Sequence, residues 1–349
     1  MEDYFHGRRW RLKTSLQDGL MLTHRRWYGL APLMMLAVAC SILRASPGQP
    51  TDSAPSFPPG ARQLTADEAY YRHPVWSPDA TMIASLRSPF VSEAFSGQLE
   101  GDVVLIEIET ATQRTVTAPE VFRPGLAGGP VFWLGSGSAV AFYYFDSLGG
   151  QVMPTIIQYN LATMQAQAIE VCCAPFTANA DGSEFLVNMS SEDTFGIGWL
   201  NLATGQVRPE MTVPARRESP REHVYSYVSL SPDGRTLLMG DVEDRIFAYT
   251  VGSGRPPELF LSEAVTPAWH PEGSKIAYVD LSGGADYYTG LIVIANADGS
   301  LPQPLFPESP HRGMLEPAWS PDGSQIAFLY GGRTKNVLLV ADVPEDLQP

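Results

Sequence analysis

The feature that most constrains this chain is a twelve-residue pattern that keeps returning. It stands as P-A-W-S-P-D-G-S-Q-I-A-F at 317–328, as P-V-W-S-P-D-A-T-M-I-A-S at 74–85, and as P-A-W-H-P-E-G-S-K-I-A-Y at 267–278. Each copy reads as an apolar strand end, a tight turn and a second apolar strand. In Ser320-Pro321-Asp322-Gly323 the proline presets φ at the first central position. The aspartate bonds nearby backbone N–H groups, and the glycine takes the left-handed conformation that closes the turn.

Weaker copies fill the gaps. A-N-A-D-G-S-E-F-L-V (178–187) keeps the turn, L-S-P-D-G-R-T-L-L-M (230–239) keeps Ser-Pro-Asp-Gly, and W-L-G-S-G-S-A-V-A-F (133–142) keeps the tryptophan. The tryptophan-equivalent positions are 76, 133, 178, 230, 269 and 319, at intervals of 57, 45, 52, 39 and 50 residues. A period of this size is the signature of a repeat architecture. About 47 residues per unit suits four short strands. In the first unit these are 74–77, 81–86, the alternating D-V-V-L-I-E-I-E of 102–109, and Q-R-T-V-T of 113–117.

The last unit stops after its third strand, N-V-L-L-V-A-D at 336–342. Arg62-Gln63-Leu64-Thr65, ahead of the first unit, resembles the fourth strands of other units. An N-terminal strand that completes the final sheet closes the ring and removes the exposed edges of an open array. The expected fold is therefore all-β, a six-bladed β-propeller over 62–343, followed by a short tail at 344–349.

The P-x-W-S-P-D-G-x-x-I-A-F repeats resemble those of TolB-like β-propellers, and they cover nearly all of the chain from residue 62 onward. That resemblance implies the propeller fold, while the N-terminal segment places the chain outside the cytoplasm. TolB itself carries an α/β domain ahead of its propeller, and that place is taken here by a different composition. Related propellers precede the catalytic domain of prolyl-oligopeptidase-like enzymes, but no G-x-S-x-G nucleophile elbow occurs in this chain.

Ahead of the propeller, Arg25-Arg26 precede an apolar run of 17 residues, 27–43. Positive charge before a short apolar stretch is the mark of an export signal. Leu36-Ala37-Val38-Ala39-Cys40 resembles the lipobox of bacterial lipoproteins, which implies lipidation at Cys40. An uncleaved anchor helix and a simple cleaved signal are the alternatives for residues 1–44, since a run of this length is at the lower limit for spanning a bilayer. Initiation at Met21 would give a more compact signal. Residues 45–61, rich in proline and serine, read as a flexible tether.

Charge narrows the partners. Residues 1–60 carry seven Lys/Arg and four Asp/Glu, which leaves 16 basic and 34 acidic residues in the remainder of a chain of net charge −15. Such a surface repels nucleic acid and anionic head groups, so nucleic acid is not an expected partner. The expectation is a monomeric propeller, tied to a membrane through its N-terminus, that recognises an envelope protein or peptide without a cofactor or metal ion. Cys172 and Cys173 are expected as buried free thiols, with a vicinal disulfide as the alternative.

Candidate ligand-binding residues lie just before the innermost strands, around one mouth of the channel. These are Arg72, His73, Arg221, His223, His311 and Arg312, accompanied by Tyr70, Tyr71, Tyr225, Tyr227 and Glu316. In an acidic domain they outline an anion site, with histidines available as acid or base. They carry the second reading, a binder or lyase/hydrolase for an anionic saccharide. The turn aspartates Asp79, Asp181, Asp233 and Asp322, the four repeat tryptophans and His270 are expected to be structural. Asn296-Ala297-Asp298-Gly299 lacks the ligands of a calcium loop.

Overall fold

The computed structural model describes residues 57–349, apart from 89–100, 117–125, 147–152, 172, 174, 180–181, 191–193, 215–225, 309–312 and 333–334. The export signal, Cys40, most of the tether, Asp181, Arg221, His223, Tyr225, His311 and Arg312 lie outside the described residues. Among the described residues no helix is long and apolar enough to cross a membrane.

The strands form six four-stranded antiparallel sheets. Strand β1 (Ala61–Gln63) precedes the first blade, which runs β2 (Tyr70–Trp76), β3 (Met82–Ser88), β4 (Asp102–Glu107) and β5 (Gln113–Val116). Blade two is β6 (Leu126–Leu134), β7 (Ala139–Asp146), β8 (Met153–Asn160) and β9 (Gln165–Glu170). Blade three is β10 (Pro175–Ala178), β11 (Glu184–Ser190), β12 (Thr194–Asn201) and β13 (Val207–Pro214). Blade four is β14 (Ser226–Leu230), β15 (Thr236–Gly240), β16 (Arg245–Thr250) and β17 (Glu258–Ser262). Blade five is β18 (Ala264–Trp269), β19 (Lys275–Asp280), β20 (Leu291–Asn296) and β21 (Gln303–Pro304). Blade six is β22 (Met314–Trp319), β23 (Gln325–Gly331) and β24 (Asn336–Asp342), completed by β1.

The closing strand pairs Ala61 with Ala341, Arg62 with Val340 and Gln63 with Leu339. Beyond it the seam continues through Leu64 N–H to Leu338 O (2.8 Å) and Leu338 N–H to Thr65 Oγ1 (2.9 Å). The expected closure is present, displaced by one residue at its start.

Six apolar clusters fill the spaces between neighbouring blades. A central strand such as β4 is buried at four successive positions, Val103 to Ile106, because a sheet on each side covers both of its faces. The repeat turns are built alike. Ser77, Ser231 and Ser320 each donate to the aspartate two residues on at 2.6 Å, and each hydroxyl accepts the N–H five residues on at 2.9 Å. Asp79, Asp233 and Asp322 are thus turn formers.

Three of the four repeat tryptophans stitch one blade to the one before, whereas Trp269 Nε1 is buried without a hydrogen-bond partner among the described residues. Trp76 Nε1 donates to Ala318 O (2.9 Å), Trp133 Nε1 to Val75 O (3.0 Å) and Trp319 Nε1 to Ala268 O (3.2 Å). Each of these three indoles fills an inter-blade gap and caps a carbonyl that the sheet leaves open.

Candidate functional site

Every innermost strand contains a register shift. In four blades it coincides with a left-handed residue three positions before the tryptophan or its equivalent: His73 (φ 51°), Tyr227 (φ 53°), Thr266 (φ 51°) and Glu316 (φ 50°). That conformation costs a non-glycine residue about 1–2 kcal/mol. Bulges re-aim side chains, and strained backbone concentrates at functional positions. Here the four bulges aim a histidine, a tyrosine, a threonine and a glutamate at the channel.

Glu316 is the hub. Only 6% of it is exposed. Its carboxylate accepts the His73 backbone N–H, the Tyr287 hydroxyl (2.8 Å) and the Tyr227 hydroxyl (3.3 Å). The Arg72 guanidinium lies 3.7 Å away and also donates to the Tyr227 hydroxyl at 3.2 Å. Burial alone would push the Glu316 carboxyl up. The charge of a protonated His73, the Arg72 guanidinium, the His73 N–H and the Tyr287 hydroxyl outweigh it and hold the group below its ordinary value.

His73 sits with Nδ1 3.7 Å from Glu316 and its ring 5.9 Å from that of Tyr227. Burial drives its pKa down to about 4, with Arg72 adding to the effect and Glu316 opposing it. At neutral pH the imidazole is therefore neutral. Burial likewise raises the Tyr227 hydroxyl to about 12 and Tyr287 well above its ordinary value. Both hydroxyls stay protonated and donate to Glu316.

Tyr287 stacks on Tyr227 at 6.1 Å and meets Tyr288 edge-on at 5.1 Å. Both Tyr287 and Tyr288 come from the β19–β20 connection, which closes the same face of the ring. Sequence reasoning did not single them out. The pair follows Gly283-Gly284 in a connection that topology alone assigns to the mouth. Tyr70, near Tyr288, is buried at this mouth.

Of the expected anion site, the described residues include Arg72 and His73. A buried carboxylate offsets the guanidinium, and the imidazole is uncharged. Tyr71 departs from expectation. It is fully buried between blades, with its hydroxyl donating to Asp67 (2.6 Å) and lying 3.1 Å from the Gln113 side chain rather than facing the mouth.

Beneath this cluster lies a cavity of about 280 Å³ bounded by the innermost strands of all six blades. Pro74, Pro130, Pro267 and Pro317 line it. Proline removes an N–H from the inner strand edge, so this wall offers carbonyl acceptors and few donors. Thr266 Oγ1 is buried there without a hydrogen-bond partner among the described residues. Among these residues no group of three or more His, Cys, Asp or Glu side chains is placed to hold a metal ion.

Three side questions are answered by the same structure. His270 is structural, its Nδ1 accepting the Glu272 N–H (3.1 Å) and its ring edge-on to Trp319 at 4.7 Å. Asn296–Gly299 is a turn in which Asp298 accepts the Ser300 N–H at 2.9 Å. Cys173 is disulfide-bonded, which corrects the expectation of two free thiols.

No protein-family model matches the chain, and no curated protein matches it. Solved structures do. TolB from Acinetobacter baumannii superposes with a TM-score of 0.50 at 16% identity, over 75% of this chain and 64% of that one. An oligogalacturonate lyase from Vibrio parahaemolyticus gives 0.55 at 13% identity, over 82% of this chain and 94% of that one. An oligogalacturonate lyase in complex with manganese gives 0.53 at 14% identity, with the same coverage. This chain thus spans less than two thirds of the TolB structure and nearly all of either lyase. At such identities the likeness speaks for the fold: the chain folds as a TolB-like six-bladed β-propeller.

Proposed function

We propose that this propeller is a non-catalytic binding module that recognises an envelope protein or peptide at the Tyr/Arg mouth of its channel. The carrying observation is the self-satisfied cluster of Glu316, Arg72, Tyr227 and Tyr287. Charges and hydroxyls are consumed holding one another in place, which yields a rigid aromatic platform rather than a free acid–base pair. Tyrosine and arginine on a preorganised surface are the residues that dominate protein interfaces. In this reading the N-terminal segment, through Cys40 or an anchor helix, holds the domain at a membrane outside the cytoplasm.

A second reading has one observation in its favour. The neutral His73 imidazole makes no hydrogen bond among the described residues and lines the channel cavity beside Arg72. Such a group can take a proton from a bound saccharide, and the two oligogalacturonate lyases superpose on this fold. Arg221, His223, His311 and Arg312 would supply the remaining anion contacts. Capture from solubilised envelope by the full chain, set beside binding of acidic oligosaccharides, separates the two readings. A stoichiometric protein lost on Tyr288→Ala supports the first. Saccharide turnover lost on His73→Asn supports the second.

A further inference from the structure

Blade three lacks the repeat tryptophan, and so does blade four: Ala178 and Leu230 stand at those positions. At the junction of blades two and three, Leu134 packs into the cluster that holds Ala178. At the junction of blades three and four the gap stays open. A pocket of about 490 Å³ lies there, bounded by Thr177, Ala178, Trp199, Arg208 and Leu230 and by the Ser231–Gly234 turn. It opens on the turn face, at the opposite end of the channel axis from Glu316.

The three stitched junctions show what such a gap accepts. At each, an indole enters and its Nε1 donates to the carbonyl one residue before the preceding blade's tryptophan position. Thr177 holds that place in blade three. Its register, Thr177 opposite Leu186 and Ala178 opposite Phe185, matches Val75 opposite Ala84 and Trp76 opposite Ile83. The Thr177 carbonyl is therefore presented as the Val75 carbonyl is, but the Leu230 side chain has no donor to give it.

The rim adds a sign. Glu184, Arg208 and Asp233 line the pocket; Arg208 lies 3.8 Å from Glu184 and 3.6 Å from the buried Glu210 behind it, and the exposed Arg235 stands beside Asp233. The balance is negative, on a domain with a large acidic excess.

We infer that this inter-blade pocket is a second binding site, which takes the tryptophan side chain of a basic peptide segment. The indole fills the place left by the missing repeat tryptophan, its N–H donates to the Thr177 carbonyl, and flanking lysines or arginines meet Glu184 and Asp233. The inference does not rest on the mouth. None of Glu316, Arg72, Tyr227 and Tyr287 lines this pocket, and Thr177 alone borders both it and the channel cavity.

The test uses the full chain and two probes, acetyl-Lys-Trp-Lys-amide and acetyl-Lys-Leu-Lys-amide, titrated by calorimetry. The tryptophan peptide is expected to bind about tenfold more tightly, the size of one buried aromatic contact with its hydrogen bond. Leu230→Trp, which supplies the missing indole, is expected to raise Tm and abolish that preference. Glu184→Lys, at the rim, is expected to weaken the tryptophan peptide several-fold and carries the test if Leu230→Trp does not fold. Equal binding of the two peptides, no binding of either, a preference that survives Leu230→Trp, or tryptophan-peptide binding unchanged by Glu184→Lys would overturn the assignment.

Discussion

The backbone N–H of His73, in blade one, donates to the carboxylate of Glu316, in blade six, so the two bulges that flank the ring's seam are locked to each other. Both residues are left-handed, and Pro74 and Pro317 follow them. The contact joins closure of the propeller to the shape of its mouth.

Acid should loosen this contact. His73 is held near pKa 4 in the folded chain, against an ordinary value of 6.5. The unfolded chain therefore takes up the proton first, and stability present above pH 6.5 is lost as pH falls toward 4. The loss amounts to about 3 kcal/mol if this group acts alone. Glu316 is also depressed, so its contribution is lost at still lower pH, as its carboxylate protonates. His73→Asn, which tolerates the left-handed backbone, should flatten the slope between pH 6.5 and 4 in denaturant titrations. An unchanged slope would remove His73 as its source.

Glu316→Gln should be costly. It leaves Arg72 without its buried counter-charge and replaces an acceptor of several hydrogen bonds by an amide. The expected loss is about 3 kcal/mol, read as a lower urea midpoint. Arg72→Met in the same chain should recover part of it, because the uncompensated charge is then gone.

A second lock sits one strand away. Asn336 Oδ1 accepts the Tyr71 N–H (2.7 Å) and its amide donates to the Tyr71 carbonyl (3.0 Å), with Asn336 2% exposed. Asn336→Ala strands both backbone groups away from water, at about 2–4 kcal/mol. Protection of the Tyr71 amide in hydrogen exchange should fall with it. Retained protection would show that the seam is held elsewhere.

Ala80 occupies the glycine position of the first repeat turn at φ 58°, where Gly234 and Gly323 stand in the equivalent turns. Ala80→Gly relieves about 1 kcal/mol of strain and returns part of it as unfolded-chain entropy. A net gain of about 0.5 kcal/mol is expected in thermal melts. A loss would mean that the turn bears no strain.

The fold was legible because its signal is local and repeated. Ser-Pro-Asp-Gly specifies its turn through contacts two to five residues away, and the tryptophan spacing counts the blades. Closure was legible because Arg62-Gln63-Leu64-Thr65 looks like a fourth strand without a sheet of its own. The mouth was legible only in part. Arg72, His73, Tyr227 and Glu316 could be assigned to it by topology, but that Glu316 neutralises Arg72 and that burial holds His73 uncharged are consequences of packing between distant residues. Tyr287 and Tyr288 arrive from a connection with no motif. Thr266 lies inside the repeat, in Thr-Pro-Ala-Trp, where nothing in the residue types announces a left-handed backbone or an unpartnered hydroxyl.

The most direct measurement is affinity capture from solubilised envelope with the full chain, the Tyr288→Ala variant and Leu301→Ala as a control. Tyr288 lies at the mouth, whereas Leu301 is exposed in the β20–β21 turn on the other face. A binding mouth requires one protein at near-equal amount with the native chain and with Leu301→Ala, reduced at least several-fold with Tyr288→Ala. Capture of no protein, or of one indifferent to Tyr288, would contradict it.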